Sequence, residues 1–141
     1  MTIEESCETA LINALKTAGV HTAHGATLRG FLVDDDTGEA EEKVALPAIA
    51  VQSGVAVPED DREGPCMAVP VTVQCVTYFN DDKKRAALKA LYESVRAVID
   101  AEVFTMPSGS FDALIVEDGS MSADAEVNMI ETVARFYVRT T

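Results

Sequence analysis

Apolar residues recur at helical spacing from the start of the chain: Ile3, Cys7, Leu11, Leu15 and Ala18, with Ala10 and Ala14 on the same side. Thr2-Ile3-Glu4-Glu5 has the form of a capping box, in which Thr2 and Glu5 satisfy backbone donors that the first turn leaves open. Gly19 suits a left-handed C-terminal cap, so a helix is predicted over 3–18. A second stripe (Leu88, Leu91, Tyr92, Val95, Val98 and Ile99) predicts a helix over 82–101, with Lys84, Lys89, Glu93 and Arg96 mostly off that face. Asn80-Asp81-Asp82 supplies its N-cap candidates, the acids lying near the positive end of the helix.

Between and after the helices the period changes to two. From Ala68 to Phe79, the set Val69, Val71, Val73, Cys75, Thr77 and Phe79 alternates with Ala68, Pro70, Thr72, Gln74, Val76 and Tyr78, and the first set is expected to face the core. Residues 44–53 are apolar and β-branched enough for a strand, with Pro47 confining it to an edge or to the strand's first residues. Residues 27–33 suit a short extended segment, 105–110 a loop, 111–117 a strand and 118–120 a turn. The closing strand, 127–139, sets Ile130, Ala134, Phe136 and Val138 against Val127, Met129, Val133 and Tyr137, which calls for a bulge or for packing on both faces. Two helices and two hairpins favour a single α+β domain over 1–141. Its expected form is a mostly antiparallel sheet of about four or five strands packed by two helices.

Charge sharpens this picture. The chain has 141 residues, 48% hydrophobic, and a formal net charge of −13. Asp34, Asp35, Asp36, Glu39, Glu41 and Glu42 form one acidic run; Glu59, Asp60, Asp61 and Glu63, with Arg62 among them, form another. Gly30, Gly38 and Pro47 border the first and Pro58, Gly64 and Pro65 the second, so 34–42 and 59–63 read as solvated loops on a compact body. Such an acidic balance opposes a grip on nucleic acid, which needs clustered Lys and Arg. Lys83-Lys84-Arg85, preceded by Asp81 and Asp82, reads as a solvated helix start. Residues 1–10 lack a secretory pattern, and no apolar run reaches membrane-spanning length, so no membrane partner is expected. The three cysteines have no CxxC spacing and suit a reducing compartment; Cys7 and Cys75 fall on core patterns, whereas Cys66, next to Pro65, is expected in an exposed loop.

Candidate chemistry is thin. His21 and His24 are the only histidines, and a zinc site built on them would need carboxylates from elsewhere. The stretch from Asp34 to Glu39 imitates a calcium loop, but counting from Asp34 puts Gly38 one position short of the required turn. Ser108-Gly109-Ser110 lacks the strand-to-helix setting of a nucleophile elbow, and the scattered glycines form no phosphate loop. The reading is a non-enzymatic protein with no catalytic residue, cofactor or metal.

The order of elements resembles the tail-terminator and tail-completion proteins of long-tailed bacteriophages. The resembling parts are the N-terminal helix, LPAIAVQSG at 46–54, the strand-to-helix passage VPVTVQCVTYFNDDKKRAALKALYESVRAVI at 69–99, and ARFYVRT at 134–140. The resemblance implies a minor tail protein that forms a homo-oligomeric, commonly hexameric, ring at the head-proximal end of the tail tube. It implies tail tube and head–tail connector proteins as partners, with assembly in the host bacterial cytoplasm and a final place in the virion tail. Acidic loops lining such a ring would repel DNA phosphates, dock on basic neighbours, or keep free subunits soluble. A cyclic interface needs two unlike patches on each subunit. Val55 and Val57, in an arm leading to Pro58, and Phe104 and Met106, in the 103–110 loop, are the contact candidates; the alternative for the last two is a place under the sheet. The competing functional readings are a head–tail connector adaptor and a small acidic bacterial protein-binding module.

Overall fold

The computed structural model describes residues 2–20, 26–29, 47–59, 66–78, 85–107, 110–123 and 127–139. The chain opens with α1 (Ile3–Thr17), and its capping box forms as the sequence requires: the Thr2 side chain accepts from the Glu5 N–H at 3.1 Å, and the Glu5 carboxylate accepts from the Thr2 N–H at 3.4 Å. After α1 come β1 (Ala26–Arg29), β2 (Ala48–Ser53), β3 (Val57–Pro58), β4 (Cys66–Tyr78), α2 (Ala86–Ala101), β5 (Ser110–Val116), β6 (Ser120–Ala123) and β7 (Val127–Arg139). The fold is α+β; the seven strands among the described residues form one sheet ordered β1-β2-β4-β7-β5, with β3 pairing with β4 and β6 with β7. Every pairing is antiparallel except β1 with β2.

The centre of the sheet is the pairing of the two thirteen-residue strands, β4 and β7, from Cys66 opposite Arg139 to Tyr78 opposite Val127. Each long strand carries on its other edge a partner that breaks and then resumes. β2 and β3 lie along β4, and β5 and β6 lie along β7, so each long strand has one interrupted row beside it; β1 continues the sheet beyond β2, while the β5–β6 row is an edge. The count therefore exceeds the expected four or five because short pieces continue past each break. At the first break the Gly54 N–H donates to the Pro70 carbonyl at 2.7 Å; at the second the Glu117 N–H donates to the Val133 carbonyl at 3.0 Å. Interrupted edges are poor templates for pairing with another chain.

The helices cover one face. Leu11 and Leu15 of α1 and Leu88, Leu91, Val95 and Ile99 of α2 are buried with Ile49 and Val51 of β2. From the central strands come Val69, Val71, Val73 and Cys75 and, on β7, Ile130, Ala134, Phe136 and Val138. Alternation thus decided the face, as a period of two demands. Phe136 meets Phe104 and Phe111 edge-on, with ring centroids 5.1 and 5.7 Å away, and those two rings are 5.6 Å apart.

Several boundaries differ from expectation. Cys66 is no exposed loop residue: it is the buried first residue of β4, pairing opposite Arg139 and packing with Ala68 and Tyr137 on the far face of the sheet. That far-face cluster accounts for the mixed pattern of β7, which runs unbroken; the register shift lies in β5, between Phe111 and Ala113. The strand expected over 44–53 begins at Ala48, just after Pro47, and the one expected over 27–33 is seen as Ala26–Arg29. α2 starts at Ala86 and not at Asp82, because Arg85 sits at φ 57°, in the left-handed region, and has no side-chain cap. Asn80, Asp81 and Asp82 lie outside the described residues.

The other end of α2 shows the same strain. Glu102 caps it at φ 54°, with its N–H donating to the Ile99 carbonyl at 3.1 Å. A left-handed cap is glycine's position, since a Cβ there costs about 1 kcal/mol. Glu102→Gly is therefore expected to stabilise the protein by up to about 1 kcal/mol in urea denaturation; a loss of stability would contradict this.

Candidate functional site

Each helix holds down one of the two breaks in the sheet edges. Glu4 and Glu8 stand one turn apart on α1 and so share a face. Glu8 is only 3% exposed, and its Oε2 accepts from both the Ser53 N–H and the Ser53 hydroxyl, each at 2.9 Å. Glu4 Oε2 accepts from the Ala56 N–H at 3.2 Å. A buried carboxylate is tolerable only with donors of this kind. The clasp fixes the arm from Gly54 to Pro58, leaving Val55 77% and Val57 56% exposed. Beside it opens a groove of about 690 Å³, bordered by Glu4, Glu5, Glu8, Gln52 and Val55.

α2 makes the second clasp. Tyr92 Oη accepts from the Gly119 N–H at 2.9 Å and from Arg96 at 3.0 Å. Arg96 also lies 3.3 Å from Asp100 and 3.8 Å from Asp118. The break at 117–119 is thus tied to the sheet through Glu117 and to the helix through Gly119.

The far face of the sheet follows from register, since residues opposite each other on paired strands share a face. Glu59, Cys66 and Arg139 form one row, Val57, Ala68 and Tyr137 the next, and Pro70, Arg135 and Ile115 a third. Ile115 is 47% exposed, and Arg135 pairs with Glu117 at 3.4 Å.

The contact candidates separate by exposure. Val55 and Val57 project from the arm, whereas Phe104 and Met106 are half-buried and pack against the core. The exposed apolar residue of their loop is Val103, which borders a groove of about 510 Å³ between the helices, floored by Ala10, Ala14, Ala97 and Ala101. Of the acids, Glu59 is half-buried just beyond β3. Asp34, Asp35, Asp36, Glu39, Glu41, Glu42, Asp60, Asp61 and Glu63 lie outside the described residues, as do His21 and His24. Sequence reasoning missed Glu8 and Ile115. The one signal for Glu8 was its spacing of four from Glu4, which helix amphipathicity alone assigns to solvent.

The cysteines are not poised for chemistry. Burial pushes the Cys7 and Cys75 thiols up to about 12, Glu4 adding to the effect at Cys7, so neither is a thiolate near neutral pH. In the unfolded chain both ionise near the ordinary 9.0, which is where folding and pH become linked. Their contribution to stability is intact below about 9 and is lost as pH rises towards about 12. Thermal melts at rising pH are expected to show that decline, and Cys7→Ala/Cys75→Ala to flatten it. An equally steep decline in the double variant would contradict the assignment.

No family model and no curated protein matches this chain. Among solved structures it matches a chain of the virion of a native gene transfer agent (GTA) particle. The match has a TM-score of 0.69 at 16% sequence identity and covers 99% of this chain and 98% of that one. The fold is shared from end to end.

Proposed function

We propose that this chain is a non-enzymatic structural subunit of a phage-like virion, a tail terminator or tail-completion protein that forms a ring on the head-proximal end of the tail tube. The observation that carries this reading is the end-to-end likeness to a GTA virion chain, which leaves almost no residue of either protein outside the shared fold. The arrangement of exposed groups supports it. A rigid body with an apolar arm at one place and an exposed loop valine at another offers the two unlike patches that a cyclic contact requires. In this reading Val55 and Val57 of the arm meet the 103–110 loop of the next subunit. There Val103 makes the contact, while Phe104 and Met106 hold the loop in shape from beneath. The acidic runs 34–42 and 59–63 face the lumen, where they keep DNA phosphates from adhering during passage. The partners are further copies of the chain, the tail tube protein and the connector.

Native mass spectrometry across a concentration series at two salt levels tests the ring. A discrete hexamer is expected, more populated at high salt as repulsion between acidic subunits is screened; a strict monomer under all conditions would contradict it. Val55→Asp/Val57→Asp is expected to abolish the ring. Its melting temperature should barely change, because exposed substitutions of this kind seldom cost more than about 0.5 kcal/mol.

A further inference from the structure

Two uncharged surfaces stand out on a chain of net charge −13. One is the arm. No charged residue occurs from Gln52 to Pro58. Ala56 packs against the core, while Val55 and Val57 on either side of it are exposed. That alternation puts the two valines on one side of an extended segment, about 7 Å apart. The other surface is the groove of about 510 Å³ between α1 and α2. Ala14, Ala97, Val98, Ala101 and Val103 border it, and none of its described lining residues is charged. The small side chains leave it concave, and Val103 stands exposed at its margin.

The arm does not reach the groove of its own chain. The clasp from Glu4 holds it at the first turn of α1, about 15 Å along the helix from Ala14. The two surfaces therefore lie towards opposite ends of one helix, the relation that a head-to-tail contact between copies requires. Charge agrees with it. Glu4 and Glu5 stand beside the arm, whereas Lys16 stands in the last turn of α1, between Asn13 and Thr17 of the groove wall. On the α2 side, Asp100 is engaged by Arg96. We infer that the groove between α1 and α2 receives the Val55–Val57 segment of a second copy of the chain, with Lys16 matching the acids beside the arm. This deepens the ring reading and rests on it for the choice of occupant. Subunits that repel one another overall then cover apolar surface where neither carries a charge.

Disulfide trapping on the full chain tests the contact. Cys7, Cys66 and Cys75 are buried, so the parent chain gives little background. Val55→Cys is mixed with Ala101→Cys under mild oxidation; the control mixture pairs Val55→Cys with Lys89→Cys, two turns of α2 before Ala97, all at exposed positions. Cross-linked dimer is expected in about tenfold or greater excess over the control. Ala97→Glu, added to the Ala101→Cys chain, is expected to remove the excess, and Lys16→Glu to reduce it. Both are exposed positions, so the melting temperature should barely change. No excess over the control, or an excess that survives Ala97→Glu, would overturn the inference. Native mass spectrometry of the same samples keeps the two readings apart. A hexamer without the cross-link overturns the groove contact and leaves the ring standing on another surface. The cross-link without a hexamer upholds the groove contact and overturns the ring.

Discussion

Phe136→Ala is expected to lower the unfolding free energy by about 3–5 kcal/mol, enough to leave the domain close to half unfolded if its stability lies at the low end of the usual range. Phe136 is fully buried towards the C-terminal end of β7 and is the largest fully buried side chain among the described residues. Its ring joins three parts of the molecule that are distant in sequence: β7 itself, Phe111 of β5 and Phe104 of the loop after α2. Removing it leaves a cavity facing two half-buried rings whose edges have lost their partner, and the rigid pairing of β4 with β7 prevents collapse around the gap. Urea denaturation of the variant is the measurement. A loss under about 1 kcal/mol would mean that the three-ring cluster does not organise this side of the core. The variant is also expected to loosen the 103–110 loop, so any contact made by Val103 should weaken with it.

Gly119→Ala is the second large effect, expected at about 2–4 kcal/mol from steric crowding together with loss of a part-buried hydrogen bond. A Cβ at this position would sit 2.6 Å from Ile130 Cγ2 and 2.8 Å from both Cζ and Oη of Tyr92. Ile130 is locked in the core and Tyr92 is held by Arg96 as well as by Gly119, so neither can yield cheaply. Tyr92→Phe alone should cost about 1–2 kcal/mol, because the Gly119 N–H loses its acceptor. The two substitutions remove the same contact, so their effects in a double-mutant cycle are expected to fall well short of additive. Additive costs would contradict the clasp. Gly54 makes a milder counterpart at the other break: a Cβ there meets Pro70 Cγ at 3.0 Å, and one side chain has only to shift slightly.

Which parts of this architecture were legible in the sequence follows from the range of the forces involved. The helices and the two long strands were readable because their signals are periodic, and period assigns a face without reference to the rest of the chain. The start of β4 was not, because Pro65 beside Cys66 marks a loop locally, while the strand begins there only by pairing with Arg139 far along the chain. Residues 118–120 read correctly as a break but not as a kink. Asp118-Gly119 is the same signal whether the chain reverses or, as here, resumes along the same neighbour as β6. The burial of Glu8 was invisible because a carboxylate on a helix reads as solvated until Ser53, forty-five residues away, brings it two donors. Phe104 and Met106 show the converse. Apolar residues in a short loop advertise a contact, but nothing local says whether that contact is the chain's own core or a neighbour. Val55 and Val57 stay exposed because α1 clasps the backbone beside them, again a long-range cause.

The acidic runs remain the feature that any functional account must use, since they set the sign of the molecule's field and the salt dependence of every assembly it makes. In the proposed terminator ring they would act during DNA passage, a role that needs repulsion from phosphate and not a grip on it.

The most direct test of that account is electron microscopy of tail tubes incubated with the purified chain. A single ring capping one end of each tube, absent with Val55→Asp/Val57→Asp, is the predicted result. Tubes bare at both ends in the presence of excess folded protein would contradict the assignment.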